Sequence, residues 1–145
     1  MVKRIDQQSV ISMATLQGLK MTPQRRAIVE HLQDAFHHPT VEEIFNAVNR
    51  NFPMTSRATV YNTINWLKEA GMVKELYEGD SVHFDPNTDR HHHFCCRKCG
   101  QIEDIDFEVI DSVKIGALLN HTVENFEVML RGLCAACRKL DAAKI

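Results

Sequence analysis

Two C-x-x-C knuckles, Cys96/Cys99 and Cys134/Cys137, stand thirty-four residues apart and specify chemistry more directly than any other stretch of the sequence. Each knuckle puts two thiolates on one tight turn, with Gly100 directly behind the first. Two such turns supply the four-sulfur donor set of a tetrahedral structural zinc site, closed and without redox activity. Immediately upstream runs His91-His92-His93. If that segment is extended, period-2 spacing puts His91 and His93 on one face and His92 on the other. Two imidazoles on one face form half of a second, harder metal site. The fifth cysteine, Cys95, shares the face of His91 and His93; we read it as a buried inert thiol, the alternative being a soft extra ligand.

These residues need elements to hold them. The sequence is 145 residues long, enough for one medium or two small domains, and the zinc pair argues for two. Hydrophobic and charged fractions of 44% and 25% are those of an ordinary globular protein. No apolar run approaches the ~20 residues of a membrane span, and no signal-like segment opens the chain, so a cytoplasmic protein without membrane contact is expected. In a reducing compartment, paired C-x-x-C cysteines read as metal ligands rather than disulfides. Charge is unevenly spread: residues 1–68 carry eight Lys/Arg against five Asp/Glu, residues 69–145 nine against fourteen. A basic front half could approach phosphates while an acidic back half holds cations.

Apolar periodicity predicts a short helix over 5–18 ending at Gly18, a second over 23–34 opened by Thr22-Pro23, and a third over 41–50 opened by the capping box Thr40-Val41-Glu42-Glu43. A fourth runs from Ser56 to Ala70, closed by Gly71; it buries Val60, Ile64 and Leu67 and shows Arg57, Tyr61, Asn62 and Asn65 on its other face. A hairpin, 72–77 with 81–85, follows directly. The pattern is that of a helix-turn-helix with a wing, in which Arg57, Thr59, Tyr61 and Asn62 can meet base edges or phosphates of a DNA major groove. The turn-rich residues 86–90 make a hinge between a winged-helix domain of residues 1–85 and a small α/β domain of residues 91–145, so the fold class is α+β. In the second domain we expect two strands between Phe94 and Phe107, a helix over 107–119 and a strand over 123–130.

In combination, Thr22-Pro23-Gln24-Arg25, His38-Pro39-Thr40, Arg57-Ala58-Thr59-Val60-Tyr61, Phe84-Asp85, His91 to His93, Cys96 to Gly100 and Gly132-Leu133-Cys134 to Cys137 make the chain resemble the ferric uptake regulator family along nearly its whole length. The resemblance implies an N-terminal winged-helix domain and a C-terminal dimerisation domain. It further implies a homodimeric, metal-dependent repressor that binds an inverted-repeat DNA operator, and no enzyme. The ligand set looks most like the peroxide-sensing branch: His38, Asp85, His91, His93 and Asp104 would hold a regulatory Fe(II) or Mn(II). Cys96, Cys99, Cys134 and Cys137 would hold zinc. Iron-uptake sensors usually carry Glu where Asp85 and Asp104 fall. In the peroxide-sensing branch, oxidant generated at iron attacks a ligand, here His38 or His91, and DNA is released.

The chain departs from the family at a further metal site found in many members, where Phe126 stands in place of a ligand and Arg90 and His92 occupy two other positions. That site is not expected here. His83 shares a strand face with Asp85 and could replace a ligand, while His31, His37 and His121 carry no assigned role. Two other readings compete. One is an iron- or manganese-responsive uptake regulator without peroxide sensing. The other is a non-haem iron enzyme built on a two-His, one-carboxylate triad, for which the sequence offers no substrate-pocket motif and no cosubstrate arginine. A zinc-stabilised interaction module is a third, weaker possibility.

Overall fold

The computed structural model describes residues 4–35, 37–110, 117 and 120–144. The chain divides into two compact units, Met1–Asp89 and Arg90–Ile145.

In the first unit the helices start where side chains satisfy their first amides. Asp6 caps α1 (Gln7–Leu16) and Thr22 caps α2 (Pro23–Asp34), which has proline in its first turn. Thr40 and Glu43 form a complete capping box on α3 (Val41–Asn49), and Ser56 caps α4 (Arg57–Glu69). Gly71, at φ +72°, supplies the left-handed residue that ends α4. The apolar faces converge: Val10 of α1, Ile28, Val29 and Leu32 of α2, Ile44 and Val48 of α3, and Val60, Ile64 and Leu67 of α4 form one buried cluster.

Strands β1 (Lys74–Glu78) and β2 (Ser81–Asp85) form the expected hairpin, in register from Lys74↔Asp85 to Glu78↔Ser81 around Gly79. Its Phe84 joins the same core. β2 also grips the segment before α3, because Phe84 N donates to Pro39 O at 2.8 Å and Thr40 bridges His83. That grip draws His38 toward Asp85.

The second unit is built on a three-stranded sheet in the order β4-β3-β5. β3 (His91–Cys96) pairs antiparallel with β4 (Ile102–Asp106) and parallel with β5 (Met129–Gly132). β5 is shorter and later than the strand expected over 123–130. Val128 shows why: its N–H goes to His92 Nδ1 at 3.1 Å rather than to a strand carbonyl, so the ladder begins only at Met129. The helix expected over 107–119 falls mostly on residues 111–116 and 118–119, outside the described residues; Phe107–Val109 form a single 3-10 turn. A helix that the periodicity did not suggest, α5 (Ala135–Ala142), follows the second knuckle.

Candidate metal centres and nucleic-acid interface

The first knuckle is the turn that leaves β3. Cys96 N donates to Gln101 O and Gly100 N to Cys96 O, both at 2.9 Å, and Gly100 takes φ +74° to close the turn. The second knuckle opens α5. Cys134 is its N-cap, its sulfur accepting from Cys137 N at 3.5 Å, and Cys134 N in turn donates to Cys96 Sγ at 3.4 Å. Lys98 pairs with Asp141 and ties the first turn to α5.

Sulfur atoms of all four cysteines lie within 4.8 Å of one another, and Cys99 and Cys134 are 3.9 Å apart. A tetrahedral site with Zn–S of ~2.3 Å places its sulfurs about 3.8 Å apart, so the cradle fits zinc. The thiols respond to their surroundings in opposite directions. Backbone N–H groups of Cys134 and Cys99 lower Cys96 to about 6, whereas burial, then hydrogen bonding to the other three sulfurs, raises Cys137 to about 12. Four thiolates this close need a cation to carry their charge together.

The predicted histidine and aspartate ligands fall into two groups, one in each unit. In the first unit His38 Nε2 lies 3.6 Å from Asp85 Oδ2, both residues buried. The His38 carbonyl is held by His83 Nδ1 at 2.7 Å, and Asp85 Oδ1 accepts from Asn87 N at 2.9 Å. His83 thus spends Nδ1 on the backbone, and it is not among the His and Asp residues whose possible ligand atoms gather within 4.8 Å of one another.

In the second unit β3 is extended, and His91 and His93 share a face as their spacing requires, with Nε2 atoms 3.0 Å apart. Asp104, opposite His93 on β4, brings Oδ1 to 3.4 Å from His91 Nε2 and 3.8 Å from His93 Nε2. Neighbouring ligands about 2.1 Å from one ion stand about 3 Å apart, so these three donors are spaced as one side of a coordination shell. Glu127, which sequence reasoning passed over, places Oε1 2.8 Å from His93 Nδ1, off the axis of the ring N–H. Cys95 is buried, its sulfur 4.0 Å from the Cys96 carbonyl.

On the other face of β3, His92 is fully buried and stacked on Phe107, with centroids 4.9 Å apart, and it packs against Phe126 at 5.2 Å. The Arg90 guanidinium lies 4.2 Å from the Phe107 ring centre. Aromatic rings and a cation thus fill this face of β3 around His92.

On α4 the structure leaves Arg57, Tyr61 and Asn62 exposed, while Thr59 is half-buried with its hydroxyl 3.0 Å from that of Ser56. Among the described residues, no helix is long and apolar enough to cross a membrane.

The ferric uptake regulator family model matches residues 16–131. The peroxide-responsive repressor PerR of Staphylococcus epidermidis is 38% identical over a 143-residue alignment, and the match covers 95% of this chain and 95% of its own. Among solved structures, the Campylobacter jejuni peroxide stress regulator is 26% identical with a TM-score of 0.65, covering 91% of this chain and 99% of its own. The Helicobacter pylori ferric uptake regulator, at 21% identity, shares the fold with a TM-score of 0.79 over 94% of this chain and 97% of its own. Because the family match runs from the end of the first helix through both units into the last strand, the chain belongs to the ferric uptake regulator family, whose members are metal-responsive transcriptional regulators and not enzymes.

Proposed function

We propose that the chain is a cytoplasmic, homodimeric, metal-dependent repressor that binds an inverted-repeat DNA operator and responds to hydrogen peroxide. The observation that carries this reading is the donor set: three imidazoles, His38, His91 and His93, with two short carboxylates, Asp85 and Asp104, sorted as one half-site in each unit. In this reading the two half-sites hold a single Fe(II) or Mn(II), a borderline-hard site suited to reversible binding, while Cys96, Cys99, Cys134 and Cys137 hold zinc. The relatives named as peroxide-responsive support it.

Ligands divided between the units fix the angle between them. In a homodimer that angle sets the spacing of the two α4 helices, and half-sites in successive major grooves accept only narrow spacings. Metal therefore favours the DNA-competent state, and by linkage DNA tightens metal binding equally. Arg57, Tyr61 and Asn62 meet the groove, and Thr59 secures the start of the helix that presents them. Iron, when bound, supplies the redox chemistry that activates peroxide. His38 or His91 then gains one oxygen atom at a ring carbon, and the second peroxide oxygen leaves as water. The altered ring is a poor donor, its half-site loosens, and DNA is released.

The test is to load zinc-bound protein anaerobically with Fe(II) or Mn(II) and to measure operator binding before and after stoichiometric peroxide, with intact and peptide masses. Loss of binding by the iron form alone, with one oxygen gained on a peptide containing His38 or His91, supports the proposal. If both forms keep binding and no histidine is oxidised, the chain is instead an iron- or manganese-responsive regulator without peroxide sensing.

A further inference from the structure

The reading of α4 as the DNA-facing helix leaves one contact on that helix unexplained. Arg57, the first residue of α4, reaches back to α3, where Nη2 lies 2.6 Å from Glu42 Oε1 and Nε lies 3.3 Å from Glu42 Oε2. Its guanidinium carbon sits 4.2 Å from the centre of the Phe45 ring. The ring fixes the guanidinium plane and the carboxylate fixes which edge turns inward. The Arg57 hydrogen bonds hold the Glu42 carboxyl below its ordinary range, and Glu42 raises Arg57, so both stay charged.

A guanidinium has two hydrogen-bonding edges that matter here. Glu42 takes the side edge, formed by Nε and one hydrogen of Nη2. The end edge, formed by Nη1 and the other hydrogen of Nη2, has no hydrogen-bond partner among the described residues. That end edge is the fork that matches O6 and N7 of guanine in the major groove. A loose arginine in the same place would settle for any phosphate oxygen, which carries no sequence information.

We propose that Glu42 is a specificity-determining positioning residue, holding Arg57 over Phe45 with its end edge outward so that α4 selects a guanine in each half-site. The assignment rests on the reading of α4 as the recognition helix. It also predicts an opposed effect on general affinity, because a carboxylate beside the DNA backbone repels phosphates. Both side chains are more than half exposed, so the pair contributes little to folding and can be altered without unfolding the unit.

The experiment is selection from a randomised duplex library by the full-length zinc-loaded protein with Mn(II), comparing the unaltered chain with Glu42→Gln, Arg57→Lys and Arg57→Ala. The unaltered chain should prefer a G·C pair at one position of each half-site by about 5- to 150-fold, the range of a bidentate contact. Arg57→Ala and Arg57→Lys should lose that preference. Glu42→Gln should weaken it by about fivefold or more while binding unrelated duplex more tightly. Tighter binding by Glu42→Gln with unchanged preference overturns the proposal, because Glu42 is then only a charge competing with phosphate. A preference that survives Arg57→Ala overturns it as well, since Arg57 then reads no base. If the unaltered protein selects no duplex, the recognition-helix reading itself has failed, and the inference falls with it.

Discussion

Removing zinc should unfold residues 90–145 while residues 1–89 stay folded, because the two units are filled with different material. The first has a cluster of twelve buried apolar side chains, drawn from four helices, the hairpin and the segments that flank them. In the second, among the described residues, the buried cluster where β3, β5 and α5 meet consists of Cys96, Cys134 and Cys137 with Phe94 and Leu133 packed against it, and apart from it Ile102 and His92 are buried. Burying Phe94 and Leu133 contributes at most about 1.5–3 kcal/mol each, or ~6 kcal/mol together. A structural zinc site contributes roughly 10–16 kcal/mol at neutral pH. Its loss is thus comparable to or larger than the whole net stability of a typical domain, about 5–15 kcal/mol. The assay is treatment with a strong chelator, or the Cys134→Ala variant, with zinc followed by elemental analysis and folding by amide hydrogen exchange. Peptides covering residues 91–106 and 129–142 should lose protection. Trp66, the chain's single tryptophan, lies on α4 and reports the first unit, whose denaturation midpoint should move little. Protein shown to lack zinc that still protects residues 91–106 would refute the reasoning.

Asp104→Ala should abolish Mn(II)-dependent DNA binding with zinc content unchanged; retention of metal-dependent binding by this variant removes Asp104 from the ligand set. Glu127→Gln should weaken Mn(II) binding, because it removes a negative charge 2.8 Å from His93 Nδ1 that favours the cation, and the electron paramagnetic resonance signal of free Mn(II) measures it; unchanged affinity removes Glu127 from the site. Burial, then the neighbouring His37, hold His31 below its ordinary pKa of 6.5, so the unfolded chain binds this proton more readily than the folded one. The first unit is then fully stabilised by neutral His31 above about pH 6.5 and loses that stability as pH falls through this value toward the lower folded pKa. Denaturation followed at Trp66 should show the loss, and His31→Gln should flatten it; an unchanged slope assigns the effect elsewhere. Thr40→Ala removes the capping hydroxyl of α3 and should cost about 1 kcal/mol in the same assay, an unchanged midpoint counting against the cap.

Local chemistry made the first unit readable. Thr22-Pro23, the Thr40–Glu43 box and Gly71 each act within a few residues, so their helices begin and end where the side chains require. The knuckle spacing was equally local, and period-2 alternation placed His91 and His93 together once β3 proved extended. What escaped depends on contacts distant in sequence. β5 is defined by parallel pairing to β3 and cut short by His92, some thirty-six residues away. Glu127 meets His93 only because of that register. The Glu42–Arg57 pair joins two helices, each of which looks complete by itself. α5 could have been foreseen, since Ala-Ala-Cys-Arg-Lys-Leu-Asp-Ala is rich in good helix formers. Its one-sided apolar stripe is too sparse for a periodicity test to register.

The amides aimed at sulfur around the knuckles bear on the order in which an oxidant would meet the protein. Cys134 N points at Cys96 Sγ and Cys137 N at Cys134 Sγ, and the positive end of α5 begins at Cys134. Each of these draws electron density out of a sulfur lone pair, and zinc would draw more. Thiolate attack on an oxygen–oxygen bond runs through that lone pair, and nucleophilicity falls as the thiol becomes more acidic. On the proposed reading, the sulfurs of Cys96 and Cys134 would thereby be slow reactants, and an oxidant would leave its record on the imidazole rings instead.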